Sequence, residues 1–347
     1  MKLMKTTEAV GQVLCHDITQ IIPGVKKDAV FRKGHIITKE DIPVLLSVGK
    51  DTIYIWENDD TMMHENEAAQ VLYSMCACGS ASKMHPSTVK EGKIEVIADC
   101  DGLLKVDSEK LKKVNSFGEM MIATRHGNTT VKKDDKLAGT RIIPLVIKKD
   151  KLKAASHICD DGPILDIKPF VIRKAAIITT GNEVYHGRIQ DAFTPVIEKK
   201  IAEFGAQMMF HEVFDDDDKK ITDGCLRAIE AGADIVFCTG GMSVDPDDKT
   251  PLAIKNTGAR IVSYGSPVLP GAMFLLSYYD AGDRLVPICG LPGCAMYNKR
   301  TIFDIVLPRL MARDMILADE LAGLGEGGLC LNCDVCTFPN CGFGKGF

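Results

Sequence analysis

The chain has 347 residues, 46% of them hydrophobic and 26% charged, with a formal net charge of −5. That length suits two or three ordinary globular domains, and a mildly acidic chain without a long Lys/Arg block argues against nucleic acid as a partner. No apolar run approaches the roughly 18 residues needed to span a bilayer, so no membrane partner is expected. The start, MKLMKTTEAVG, lacks the apolar core of an export signal, which points to the cytoplasm.

There are thirteen cysteines, nine of them scattered from Cys15 to Cys294 among apolar neighbours. An odd number without an export signal makes a disulfide scaffold a poor fit. The other four, Cys330, Cys333, Cys336 and Cys341, are crowded at the end.

The first 158 residues are expected to form a β-rich α+β domain. KGHIITKEDIPVLLSVGKDTIYIW reads as strand, helix, strand, with Thr38 capping, Asp41 three residues on and Gly49 as the stop. A second helix is expected over 65–76, followed by a small, polar, proline-bearing loop, CACGSASKMHPS. KIEVIA, EMMIAT and TRIIPLVI then read as short strands. CDDGPILDIKPF, 159–170, is expected to link this domain to the next.

From residue 171 the pattern becomes strand–helix alternation, the signature of a parallel sheet covered on both faces. AAIITTG is a strand, and Thr194 and Pro195 open a helix ending at Gly205. A strand follows to Val213, then a helix begun by Asp217 and Asp218, and DIVFCTGG is the next strand. Thr250 and Pro251 start a short helix, ARIVSY is a strand, AMFLLSYY and RLVPICG form a hairpin, and a last helix is expected over 295–307. Three strands thus end in glycine loops: TTGNEV, CTGGMSV and CGLPGCAM. In open α/β sheets ligands bind at the carboxyl ends of strands, so three such loops on one edge predict one site. Bare glycine backbone suits an anion. The acids that follow the second of these loops, Asp245, Asp247 and Asp248, suit it only with a cation between.

TTGNEVYHGRIQDAFTPVIEKKIAEFGA, VFDDDDKKI and DIVFCTGGMSVDPDD, in that order and spacing, resemble the molybdopterin-binding domain of molybdenum-cofactor biosynthesis. The resemblance, over about 171–312, implies a three-layer α/β/α sandwich that binds a phosphorylated pterin dithiolene. In the molybdenumtransferases of this family an adenylylated molybdopterin is hydrolysed and molybdate inserted with Mg²⁺ assisting. Carried onto this chain, the cofactor-binding positions are Thr180, Gly181, Gly240, Gly241, Ser243, Pro270, Gly271, Gly290, Pro292 and Gly293. The catalytic and Mg²⁺-binding positions are Glu183, Asp216 (with Asp215 or Asp217 as register alternatives) and Asp248. The chain departs from the family pattern at Asn182, where Asp is common, and at Asp245, where glycine is usual. Leu269 and Ala272 replace lysines, and Cys294–Ala295 replaces Asn-Pro. Fewer cations and an added carboxylate leave two readings open: molybdate insertion, or a non-catalytic carrier or sensor serving a client molybdoenzyme. A homo-oligomer is expected in either case.

Residues 313–329, glycine-rich at 323–328, are expected to tether a metal-binding tail, 330–347, flexibly. In C-x2-C-x2-C-x4-C four thiolates repel one another unless a metal holds them. The tight spacing suits a [4Fe–4S] cluster or zinc.

Overall fold

The computed structural model describes residues 2–22, 26–55, 59–77, 83–243, 245–246 and 248–346. Part of the predicted CACGSASKMHPS loop (78–82), Trp56 at the end of its predicted strand, and Val244 and Asp247 of the DIVFCTGGMSVDPDD segment lie outside the described residues. The chain divides into two compact units. One comprises Met1–Cys100, Val106–Arg125 and Lys133–Asp166; the other comprises Asp101–Lys105, His126–Lys132 and Ile167–Phe347.

In the first unit a four-stranded antiparallel sheet runs in the order Met84–Pro86, Lys93–Ala98, Lys136–Ile142, Met120–Thr124. KIEVIA alternates as a half-covered strand should, burying Ile94, Val96 and Ala98. The Glu65–Ala77 helix packs on this sheet through Ala68, Ala69, Leu72, Met75 and Cys76, the i, i+4, i+7 stripe of an amphipathic helix. The earlier helix is Asp41–Ser47. There Asp41 accepts the Thr38 N–H at 2.8 Å, one of the two hydrogen bonds of the expected capping box, although Glu40 and not Thr38 immediately precedes the helix.

The second unit is built on a six-stranded sheet, ordered Gln207–Phe214, Lys174–Thr180, Ile235–Thr239, Leu285–Leu291, Leu275–Asp280, Arg260–Tyr264. The first four strands are parallel, and Leu275–Asp280 runs against both its neighbours. The central strands are apolar on both faces and sort their residues strictly by parity. Ala175, Ile177, Ile235 and Phe237 face one core with the helices Phe193–Ala202 and Ile302–Met311. Ala176, Ile178, Val236 and Cys238 face the other with Asp218–Glu230 and Thr250–Asn256. This is the expected three-layer α/β/α sandwich. Each fully buried side chain such as Phe237 contributes about 1.5–3 kcal/mol.

The last helix differs from its expected span. A short 3-10 turn occupies Gly293–Met296, and the α-helix runs over Ile302–Met311. Thr301 and Asp304 form a capping box that starts the helix there: Thr301 accepts the Phe303 N–H (3.2 Å) and Asp304 accepts the Thr301 N–H (2.9 Å). The DDDD run is divided among tasks. Asp217 caps the Asp218–Glu230 helix, Asp215 pairs with Lys220 (2.7 Å), and Asp216 accepts the Asn182 N–H (3.2 Å).

The C-terminal segment is docked, not loosely tethered. Gly328 is pressed so closely on Pro267 that a Cβ would lie 2.4 Å from its carbonyl oxygen, and Gly344 donates to Gly327 (3.0 Å). Phe343 is buried in the sandwich core, with Cys330, Phe338 and Cys341 packed against it. The glycines serve close approach rather than slack.

Candidate functional site

The Lys174–Thr180 strand continues to one neighbour on its left and another on its right, so the sheet order reverses at its carboxyl end, where ligand clefts form. Next to it, Ile235–Thr239 ends in two successive glycines with positive φ, Gly240 (+81°) and Gly241 (+53°). Neither has room for a side chain. A Cβ on Gly240 would sit 2.1 Å from the Thr180 carbonyl oxygen, and one on Gly241 2.8 Å from Thr250 Oγ1. Thr180 donates to the Thr239 carbonyl (3.1 Å), Thr250 donates to the Gly240 carbonyl (2.8 Å), and the two hydroxyls stand 3.1 Å apart. Two buried threonines thus clamp the glycine turn from beneath.

Above that turn is a cleft of about 600 Å³ that gathers Gly240, Gly241, Ser243, Asp248, Pro270 and Gly271 with Pro292 and Gly293. Eight of the sequence-predicted positions therefore share one site. Phe193, Met242 and Tyr297 supply apolar walls, and Asn298 adds a polar group. No Lys or Arg lines the cleft among the described residues, as the departures at Leu269 and Ala272 imply. An anion there meets peptide dipoles, a hydroxyl and one carboxylate.

The other predicted residues take different places. Thr180 is the clamp beneath the turn. Gly290 is inside a strand, where its missing side chain admits Met242: a Cβ would lie 2.5 Å from the Met242 sulfur. Gly181 (φ +132°) donates to the Phe214 carbonyl (3.2 Å) and starts the short Asn182–Tyr185 helix. Glu183 lies over Gly181, and Asp216 is tied to the same turn through the Asn182 N–H. Asp248 accepts the Asp245 N–H (3.1 Å), closing its own turn, and its charge adds to burial in raising the pKa of Tyr264. Glu183, Asp216 and Asp248 do not converge as a shared three-carboxylate site: among the described residues no three His, Cys, Asp or Glu side chains form a metal-holding group. The acidic turn does contain an orphan, however, because buried Oδ1 of Asp215 has no hydrogen-bond partner.

Sequence reasoning missed Asp191. Its carboxylate accepts the N–H groups of Phe193 (2.8 Å) and Thr194 (3.2 Å) and the hydroxyls of Thr179 (2.9 Å) and Thr194 (2.5 Å), with His211 Nε2 at 3.5 Å. Burial pushes this carboxyl up, but the hydrogen bonds from Thr194, Thr179 and Phe193 outweigh it and hold it below the usual range. It anchors the start of the Phe193–Ala202 helix and hence the Phe193 wall. An acid three residues before Thr-Pro was the signal available.

The four tail cysteines line a second cavity, about 430 Å³, beside Tyr297, Asn298, Lys299 and Arg300. Cys333 and Cys336 are exposed, Cys330 and Cys341 half-buried.

Sheet and cleft together define an α/β/α domain with an open cleft at the carboxyl edge of its parallel strands. Residues 176–312 match the family described as a "Probable molybdopterin binding domain", and residues 3–57 match a domain of unknown function (DUF8806). A Bacillus velezensis protein named as competence-damage inducible is 30% identical over 90 residues, covering 26% of this chain and 21% of its own length. A Clostridium kluyveri protein of the same name is 26% identical over 156 residues, covering 39% and 37%. The chain thus spans well under half of these curated relatives. Among solved structures, the tungsten cofactor synthesizing protein MoaB from Pyrococcus furiosus aligns at 19% identity and TM-score 0.31, covering 43% of this chain and 91% of that one. The molybdopterin biosynthesis Mog protein from Mycobacterium ulcerans aligns at 18% identity and TM-score 0.32, covering 43% and 99%. No described helix is long and apolar enough to cross a membrane.

Proposed function

We propose that this chain binds molybdopterin in the cleft at Gly240–Gly241 and acts in molybdenum-cofactor biosynthesis. One observation carries the reading: two consecutive positive-φ glycines, too crowded for any side chain, present bare backbone to the cleft next to the Ser243 hydroxyl. Backbone N–H groups in such a turn favour a phosphate. Phe193, Met242 and Tyr297 are the apolar surfaces for the pterin ring, with Pro270, Gly271, Pro292 and Gly293 forming the opposite rim.

A finer reading is molybdate insertion into adenylylated molybdopterin. It is favoured by the acidic turn that holds Glu183 and Asp216 at neighbouring strand ends, where a buried Asp215 oxygen lacks a donor. Mg²⁺ needs only one or two carboxylates together with ligand phosphates. Glu183 and Asp216 are the residues that would hold it, and Asp248 would orient the cleft from its own turn. When bound, the ion neutralises phosphate charge. The absence of cations among the described cleft residues supports the alternative, a pterin carrier or sensor that passes its cargo to a client molybdoenzyme. Thiolate-bound metal at Cys330, Cys333, Cys336 and Cys341, as [4Fe–4S] or zinc, belongs to both readings, as does self-association.

Two measurements test this. Protein purified without added ligand should retain, or take up, a fluorescent pterin; saturable nucleotide binding with no pterin binding would overturn the whole reading. Given adenylylated molybdopterin, molybdate and Mg²⁺, AMP release identifies the enzyme, while tight pterin binding without AMP identifies the carrier.

A further inference from the structure

The cysteine tail is stitched to one loop that lines the candidate pterin cleft and to residues that directly follow another. Leu269 donates its N–H to the Gly328 carbonyl (2.8 Å), and Cys330 donates its N–H back to the Leu269 carbonyl (2.8 Å), a short parallel bridge. Leu269 and the following Pro270 and Gly271 are cleft residues. On the other side, Lys299 Nζ reaches the Asp334 carbonyl (3.3 Å), and the Arg300 guanidinium lies over the Phe338 ring, 5.0 Å from its centroid. Tyr297 and Asn298 line the pterin cleft and the cysteine cavity alike. One wall therefore separates two sites.

We propose that this wall is metal-dependent: a thiophilic metal centre on Cys330, Cys333, Cys336 and Cys341 and a phosphorylated pterin in the neighbouring cleft bind cooperatively. The physical reason lies in where order is gained. The four cysteines fall within twelve residues and line one cavity, two half-buried and two exposed; among the described residues no three of them stand together as a metal-holding group, so a metal would draw the exposed pair in. Joining them through one metal centre removes the freedom of the exposed turn. That turn is tied to Leu269 at one end and to Lys299 and Arg300 at the other. Fixing it fixes the cleft loops before the pterin arrives, and the pterin then meets a smaller ordering cost. Lys299 also suits the role, because a four-thiolate centre carries net negative charge that a nearby cation offsets; Arg300, paired with Asp304 (2.8 Å), adds to it less.

The proposal rests on the pterin reading for its second ligand but not for its first, and the test keeps the two apart. The full chain is purified without oxygen, stripped of metal, and loaded in one arm with Zn²⁺ and in another with Fe²⁺ and sulfide. Metal uptake is followed by metal analysis and absorption, and molybdopterin binding by pterin fluorescence. In at least one arm, metal should tighten molybdopterin binding about tenfold, and molybdopterin should tighten metal binding by the same factor, since coupling is reciprocal. A Cys333→Ser/Cys336→Ser protein, changed only at exposed thiols, should lose the metal and hold the pterin at the weaker affinity whatever is added. Metal uptake that leaves pterin affinity unchanged overturns the proposal, as does failure to bind metal in both arms. If no pterin binds to any form, the functional reading falls while the wall is still judged, by hydrogen exchange at the Leu269 and Cys330 amides. About tenfold slower exchange on metal loading upholds it, and unchanged exchange overturns it.

Discussion

Gly240 rests directly on Thr180: the position its Cβ would take is 2.1 Å from the Thr180 carbonyl oxygen, across the join between two parallel strands. A side chain there cannot escape by rotating, because the obstacle is backbone. Gly240→Ala should therefore push the turn away from its neighbour as well as strain a φ of +81°. The expected cost is on the order of 1–3 kcal/mol of stability, with pterin affinity falling further than stability does. Thermal melts and fluorescence titration of the same preparation read both. A variant with wild-type pterin affinity would remove the turn from the binding site.

Below the turn, the Phe237 ring meets that of Phe303 edge-on, with centroids 5.3 Å apart at 74°. Both are fully buried in the core that supports the carboxyl edge of the sheet. Phe237→Ala should cost about 3–5 kcal/mol, read as a shift of the denaturant midpoint. A loss under about 1 kcal/mol would mean that the core is not packed as described.

How much of this was legible in the sequence depends on which forces set each feature. Strand parity was, because Ala175 to Ile178 and Ile235 to Cys238 are apolar throughout and only a doubly covered strand needs that. The gathering of Gly240, Ser243, Pro270 and Gly293 was legible too, since strand order brings their loops to one edge. Asp191 was not: in QDAFTP it reads as a loop acid, and only the fold brings Thr179 and His211 to it. Nor was the helix start at Thr301: the expected span ran across the polar Asn298, Lys299 and Arg300, and the capping box of Thr301 and Asp304 sets the start beyond them. The tail's docking was hidden because glycine signals slack and tight approach equally well.

Asp314 makes part of the second unit's stability sensitive to acid. Burial pushes its carboxyl up, but hydrogen bonds from Lys168 (2.6 Å) and Lys105 (2.9 Å) and the charge and hydrogen bond of Arg309 (2.6 Å) outweigh this and hold it at about 2. A carboxyl lowered in the folded state stabilises fully above its unfolded pKa, near 3.8, and that stability is lost as pH falls toward 2. The contribution is on the order of 2 kcal/mol. Asp314→Asn should lower stability at neutral pH and flatten its fall between about pH 5 and 2, the window in which the wild-type carboxyl loses this advantage. Parallel acid limbs for the two proteins would rule the assignment out.

Gly290 offers a cleaner test of whether a glycine acts by contact or by space. It is buried inside the Leu285–Leu291 strand, and a Cβ would meet Met242 Sδ and Cε at 2.5 Å and Leu275 Cβ at 3.2 Å. Met242 is flexible and forms part of the cleft wall, so it must yield first. Gly290→Ala should then cost about 1–3 kcal/mol by overpacking and weaken pterin binding by displacing Met242. Met242→Ala removes the obstacle, so adding it to Gly290→Ala should restore part of the stability, and the double-mutant cycle should show favourable coupling of at least about 0.5 kcal/mol. Strict additivity would instead mean that the methionine is not what its bare backbone accommodates.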